Sequence, residues 1–234
     1  MDKLNPVLLH IETATEVCSV ALSEGEKILA VSETADGNSH SKNLLPFIDK
    51  TLKEAHQELK DLDGVVISIG PGSYTGLRIG VSTAKSLAYS LEIPVITVST
   101  LESIAYGAKN TDIEKPYSVI PMIDARRMEV FTAHFDENMQ MVEEVSSVIV
   151  DENTFADLLS KQPVIFCGNG MPKCKSILEN HPNAHFSDNT ISAQNMVATA
   201  LKKWQNEDFA DVAYFEPFYL KEYVAAKPNV KGLR

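Results

Sequence analysis

The run Gly70-Pro71-Gly72-Ser73-Tyr74-Thr75-Gly76-Leu77-Arg78-Ile79-Gly80 narrows the folds open to this chain more than any other segment. It follows Val65-Val66-Ile67-Ser68-Ile69, an apolar run predicted to be a buried strand. It leads into Leu77–Leu91, where apolar residues recur at helical spacing. A strand, a glycine turn and a helix in that order present backbone N–H groups to phosphate. The side chains that complete such a site are missing. No Gly-Lys-Ser/Thr follows, so the loop is not a Walker A motif, and Gly70-x-Gly72 lacks the third glycine of a dinucleotide fingerprint. A Gly-x-Ser-x-Gly elbow is not met either, because Gly72 directly precedes Ser73 and Thr75 stands where the last glycine belongs. Ser73 reads as a helix cap.

Around this loop the order of elements is regular. Three strands are predicted at Val7–Glu12, Val17–Ser23 and Lys27–Glu33, with Glu24-Gly25-Glu26 as a hairpin turn. A helix from about Ser41 to Glu58 carries Leu44, Leu45, Ile48, Leu52 and Ala55 as one stripe, with Pro46 in its first turn. After the glycine loop and its helix come a strand at Ile93–Val98 and a helix at Thr100–Lys109 capped by Thr100. The pattern then recurs. Strands are expected at Tyr117–Ile123, Glu129–Phe135 and Met141–Val148, and a helix capped by Asp151 runs to about Ser160. A strand at Val164–Cys167, Gly168-Asn169-Gly170, a helix to about Asn180, a short strand at His185-Phe186 and a helix at Ser192–Asn206 complete it.

A βββαβαβα unit used twice is the α/β architecture of the actin, Hsp70 and hexokinase (ASKHA) fold. The order of elements carries this inference, because residue similarity between the halves is weak. The sequence divides into an N-terminal subdomain, 1–108, and a C-terminal subdomain, 109–234. The last segment is a candidate to pack back on the first subdomain.

At 234 residues with a formal charge of −11, the chain can bury a real core and lacks the basic excess of a free-standing nucleic-acid binder. Cys18, Cys167 and Cys174 are odd in number and form no Cys-x-x-Cys, as suits a reducing compartment. No apolar signal core opens the chain and no run is long enough to cross a bilayer, so a soluble cytoplasmic protein is expected.

In nucleotide-binding proteins of this fold, two strand-end carboxylates face each other across a cleft. Glu12 and Asp124 occupy those places, with Thr13 in the following turn and Gly168 and Gly170 in the second glycine loop. These are vestigial candidates for a nucleotide cleft; the alternative is that both acids cap turns beside a collapsed one. On the long helix, Gly76 and Gly80 stand four apart with Thr83 and Ala84 beyond them. Two helical glycines cost up to about 1 kcal/mol each against alanine, so they need a reason. Close packing on the chain's own sheet and docking of another subunit are both open. Arg78 and the Arg126-Arg127 turn are candidate anion holders. His181-x-x-x-His185 is interrupted by Pro182, and His40 is expected to make a cap or loop contact, so no metal is expected at either place.

The glycine run closely resembles the signature of the TsaB (YeaZ) family. Ile11-Glu12-Thr13-Ala14-Thr15, Val98-Ser99-Thr100-Leu101, Ile123-Asp124-Ala125-Arg126 and Glu216-Pro217-Phe218-Tyr219-Leu220-Lys221 resemble it in family order across nearly the whole chain. The resemblance implies a non-catalytic member of the ASKHA fold that pairs with TsaD, its catalytic paralogue, and with the ATPase TsaE. Together they place threonylcarbamoyl on adenosine in tRNAs that read ANN codons. It further implies a homodimer when alone, tRNA contact only through the complex, no membrane, and no cofactor of its own; ATP, Mg and a metal ion belong to the partners. TsaD-like relatives hold a metal through two histidines four apart, and here His40 is followed by Leu44 in the second place. Glu12 departs from the family's usual aspartate. The partner interface expected from the resemblance and the small-residue face is Tyr74, Gly76, Arg78, Ile79, Gly80 and Thr83, where leucine at Gly76 or Gly80 is expected to weaken the complex and spare the fold. The rival is a small actin-fold ATPase or sugar kinase using Glu12 and Asp124. The basic tail, Lys221, Lys227, Lys231 and Arg234, is a candidate RNA contact within the complex.

Overall fold

Strand β1 (Val7–Glu12) is apolar at four of its six positions and buried along its whole length, as a strand covered on both faces must be. In the computed structural model, which describes residues 3–36, 40–109, 112–189 and 191–221, it is the centre of a five-stranded sheet. The other strands are β2 (Cys18–Glu24), β3 (Lys27–Thr34), β4 (Gly64–Ser68) and β5 (Val95–Val98), in the order β3-β2-β1-β4-β5. The β1–β2 and β2–β3 pairs are antiparallel; β4 joins β1 and β5 joins β4 in parallel. The second sheet repeats this plan with β6 (Ser118–Asp124), β7 (Glu129–Asp136), β8 (Met141–Ile149), β9 (Val164–Cys167) and β10 (Ala184–Ser187), in the order β10-β9-β6-β7-β8. Central β6 therefore corresponds to β1, and the duplication expected from the order of elements is present strand for strand.

Alternation along β1 assigns its two faces. Val7, Leu9 and Ile11 pack with helix α1 (His40–Glu54) and helix α2 (Tyr74–Leu91). Leu8 faces the other way, toward helix α6 (Val197–Gln205), where Val197, Ala200, Leu201 and Trp204 complete a separate cluster with Val66 and Ile96. Helix α3 (Thr100–Ala108) does the reciprocal job, packing Leu101, Ile104, Ala105 and Ala108 on Tyr117, Val119 and Ile123 of the second half. The last helix of each half thus covers the sheet of the other. Short helices α4 (Ala156–Leu159) and α5 (Met171–Leu178) close the remaining face of the second sheet.

Several boundaries moved for local reasons. Helix α1 starts at His40 and stops at Glu54. His56 takes a left-handed φ of 54° and Gln57 N–H turns back to the Leu52 carbonyl at 2.9 Å, so the expected continuation to Glu58 is broken. Pro46 consequently lies beyond the first turn, on the exposed side, where water can take the carbonyl it leaves unpaired. Ser99, not Thr100, holds the cap position of α3. Asp151 folds back on Asn153 N–H and the Thr154 hydroxyl, at 2.9 and 2.8 Å, and the helix begins only at Ala156. The final helix opens with a tight 3-10 turn, Ala193–Met196. Among the described residues no helix is long and apolar enough to cross a membrane.

Trp204 is 4% exposed, and its indole N–H donates to the Lys3 carbonyl at 3.2 Å. Trp204→Ala is expected to cost about 3–5 kcal/mol in urea denaturation, because it empties the contact between α6 and the first sheet.

Candidate functional site: an interdomain cleft and an open helical groove

The glycine loop leaves β4 and turns into α2 directly over the β1–β2 turn. Gly70 N–H donates to the Thr100 hydroxyl at 3.0 Å, and Thr100 N–H donates to the Gly70 carbonyl at 2.9 Å. Ser73 N–H donates to the Ala14 carbonyl at 2.6 Å, and the Ser73 hydroxyl caps α2 by accepting from Gly76 N–H at 3.3 Å. These amides would face a phosphate in a working cradle; here the chain's own groups take them.

The small-residue face of α2 points inward. Thr13 is fully buried, and its hydroxyl donates to the Gly76 carbonyl at 2.8 Å. A Cβ on Gly76 would stand 2.1 Å from the Thr13 carbonyl oxygen, and one on Gly80 would stand 2.3 Å from Thr13 Oγ1. The two glycines exist for contact with the β1–β2 turn. Assigning them to a partner interface is therefore corrected, as is the expectation that leucine there would spare the fold. Tyr74, Arg78, Ile79 and Thr83 lie on the outward side of the same helix. With His40, Ser41, Leu44 and Leu45 of α1 they line an open groove of about 510 Å³. Leu45 is 63% exposed there. Arg78 lies over the Tyr74 ring and donates to its hydroxyl at 2.9 Å.

The two strand-end acids have parted company. Glu12 is fully buried, and Oε1 accepts from Ala14 N–H at 2.6 Å while Oε2 has no hydrogen bond of good geometry. Burial drives its pKa up to about 7, against the opposing pull of the Ala14 amide, the Ser68 hydroxyl and the Thr13 amide. Asp124 is half-exposed at the cleft and ion-paired with Lys173. Burial pushes its pKa up, but hydrogen bonds from Lys173 and Arg126 N–H, with their positive charges, outweigh that and hold it below the usual value. Gly170 N–H donates to the Met122 carbonyl at 2.9 Å, fixing the second glycine turn, Gly168 to Gly170, against β6. That turn presents Asn169, whose Oδ1 accepts from Asp124 N–H at 3.0 Å and whose Nδ2 donates to Glu16 Oε2 at 2.7 Å. Asn169 therefore stitches the two halves together across the cleft.

Sequence reasoning missed Asn169, Glu16 and Lys173, because each acts on a residue far away in the chain. The last segment, expected against the first subdomain, lies there from Asp211 onward, but the sequence named none of its contacts. Lys85 lies over the Phe215 ring, Phe218 N–H donates to the Ile69 carbonyl at 2.7 Å, and Tyr219 packs on Tyr74 with ring centroids 5.0 Å apart. Lys221 then pairs with Glu129 of the second half. The rest of the basic tail, 222–234, lies outside the described residues. His40 makes the loop contact expected of it, Nε2 to the Thr15 carbonyl at 2.9 Å, and Leu44 is buried in the core. Among the described residues no three His, Cys, Asp or Glu side chains gather as a metal site.

Two sheets of one plan, exchanged covering helices and a cleft between them define an ASKHA-type α/β protein. Solved structures agree: YeaZ from Pseudomonas aeruginosa is 26% identical, with a TM-score of 0.76 over 92% of this chain and all of that one. A more distant fold relative is the Acidaminococcus fermentans (R)-2-hydroxyglutaryl-CoA dehydratase component A, 13% identical with a TM-score of 0.50 over 87% and 99%. The family described as TsaD, tRNA N6-adenosine threonylcarbamoyltransferase, matches residues 34–228. The tRNA threonylcarbamoyladenosine biosynthesis protein TsaB of Bacillus subtilis is 31% identical over 92% of this chain and 93% of its own. That of Escherichia coli is 33% identical over 94% and 96%. The chain belongs to the TsaB family.

Gly76→Ala is expected to cost about 1–3 kcal/mol by denaturation, since backbone must move to admit one methyl group. Between pH 4.5 and about 7 the folded chain keeps a proton on Glu12 that the unfolded chain has released, so this residue lowers stability as pH rises. His10, held down to about 3 by burial, acts oppositely between pH 3 and 6.5. Replacing Glu12 by Gln removes only the first effect. The stability difference between variant and parent, followed by urea melts across pH, is expected to grow in the variant's favour by up to about 3 kcal/mol from pH 4.5 to 8.

Proposed function

We propose that this chain is a non-catalytic supporting subunit for threonylcarbamoyladenosine formation in tRNA. Its α1–α2 groove receives a TsaD-like transferase, in an assembly that also holds a TsaE-like ATPase. The observation that carries this reading is the contrast between two faces of α2. The inner face closes the phosphate cradle with the chain's own Thr13, Ala14 and Ser73, while the outer face leaves Leu45 and Ile79 in an open apolar groove. The curated relatives named above bear the name of that biosynthesis, and the matched family is named for the transferase. In the absence of the partner the same groove serves a second copy of the chain, so homodimer and partner complex exclude one another. The site of action is the cytoplasm, and tRNA is met within the complex.

Leu45→Asp puts a charge in the groove at an exposed position, so it is expected to melt like the parent and to lower capture of the TsaD-like partner about ten-fold or more in a pull-down. Unchanged capture by both Leu45→Asp and Ile79→Asp would rule the groove out. Calorimetry is expected to show no binding of magnesium–ATP to the isolated chain at micromolar concentration; tight binding would support the kinase-like alternative.

A further inference from the structure

The chain has only four arginines among its 21 basic residues, and two of the three described line one continuous furrow. Arg78 lines the α1–α2 groove and Arg126 the interdomain cleft, with Arg127 beside it. Groove and cleft run into each other, sharing His40, Tyr74 and Ile79 in their walls. At the tip of the β6–β7 hairpin, Arg126 and Arg127 take successive left-handed φ values of 73° and 50°, where a turn ordinarily uses glycine or asparagine. The equivalent β1–β2 turn contains no such residue. Arg126 gives its backbone N–H to Asp124, but neither guanidinium donates a hydrogen bond to a described residue. Tyr219, 38% exposed, lines the same cleft.

Permanently charged, planar guanidinium groups beside exposed aromatic rings are suited to phosphates and unstacked bases. A free nucleotide is the poorer fit, because the Gly70, Ser73, Gly76 and Gly170 amides are already paired and the arginines project from a rim. We propose that Arg126 and Arg127 contact backbone phosphates of an unpaired RNA segment that lies across the cleft mouth, with a base against Tyr219. The proposal rests on the supporting-subunit reading, since a chain of charge −11 attracts RNA weakly by itself and must meet it beside a partner that holds it.

The test is fluorescence anisotropy of labelled tRNA with the full chain, alone at low salt and in complex with its TsaD-like partner from 50 to 200 mM salt. In the complex, Arg126→Ala/Arg127→Ala is expected to weaken binding and to reduce the slope of log affinity against log salt by about 1.4–2. The double lysine variant is expected to restore the slope. Capture of the partner should be unchanged in both variants. Parent-like affinity and slope in the alanine variant overturn the proposal. So does loss of partner capture, which would assign the arginines to a protein contact instead. If the parent itself fails to bind the partner, the supporting-subunit reading has failed separately. The isolated chain then decides: low-salt tRNA binding that the alanine variant loses supports the contact, and no binding by the parent overturns it.

Discussion

Thr13 is wedged between the end of the central strand and the first turns of α2. Its hydroxyl binds the Gly76 carbonyl, and its own backbone and side chain fill the space where Cβ atoms of Gly76 and Gly80 would be. Much else depends on this contact. It sets how closely α2 lies on the first sheet and directs Ser73 N–H to Ala14, while Ser73 Oγ takes the Gly76 amide. Because a helix has only two sides to offer here, pressing the glycines inward turns Tyr74, Arg78, Ile79 and Thr83 outward. A feature that in other chains opens a phosphate site becomes, by close approach of the next turn, a hinge-free seam.

The two halves are held by more than the connection between them. Exchange of α3 and α6 puts each half's last helix in the other half's core, which makes the hydrophobic effect itself an inter-half force. Polar stitches then fix the cleft: Asn169 with Glu16, Ser192 and Ser19 on Glu33, and Lys221 with Glu129. Exposed pairs such as the last contribute little energy individually. Their value lies in direction: Asn169 and Ser192 of the second half reach Glu16 and Glu33 of the first, and Lys221 returns the last segment from the first half to Glu129.

Much of the fold was legible from periodicity and turn chemistry. The strands β1 to β3, the glycine loop, α2 with its Ser73 cap and the repeat of the same order after residue 116 follow from patterns that local geometry enforces. Errors fell at ends. His56 and Asp151 stopped or delayed helices through hydrogen bonds whose partners a periodic count does not see. At the site, Glu12 and Asp124 were correctly paired by position in the repeat, yet their surroundings differ: one is sealed in the core and the other is held by Lys173.

What the sequence determined by itself was the order of elements, their duplication and the missing chemistry of the glycine loop, because these depend on residue types within a few positions of each other. What tertiary structure decided was direction. Gly76 and Gly80 are small whichever neighbour they meet, and spacing on a helix is silent about which side faces the sheet. Only the packed position of Thr13, sixty-three residues from Gly76, settles that the small face is inside and the groove lies on the other.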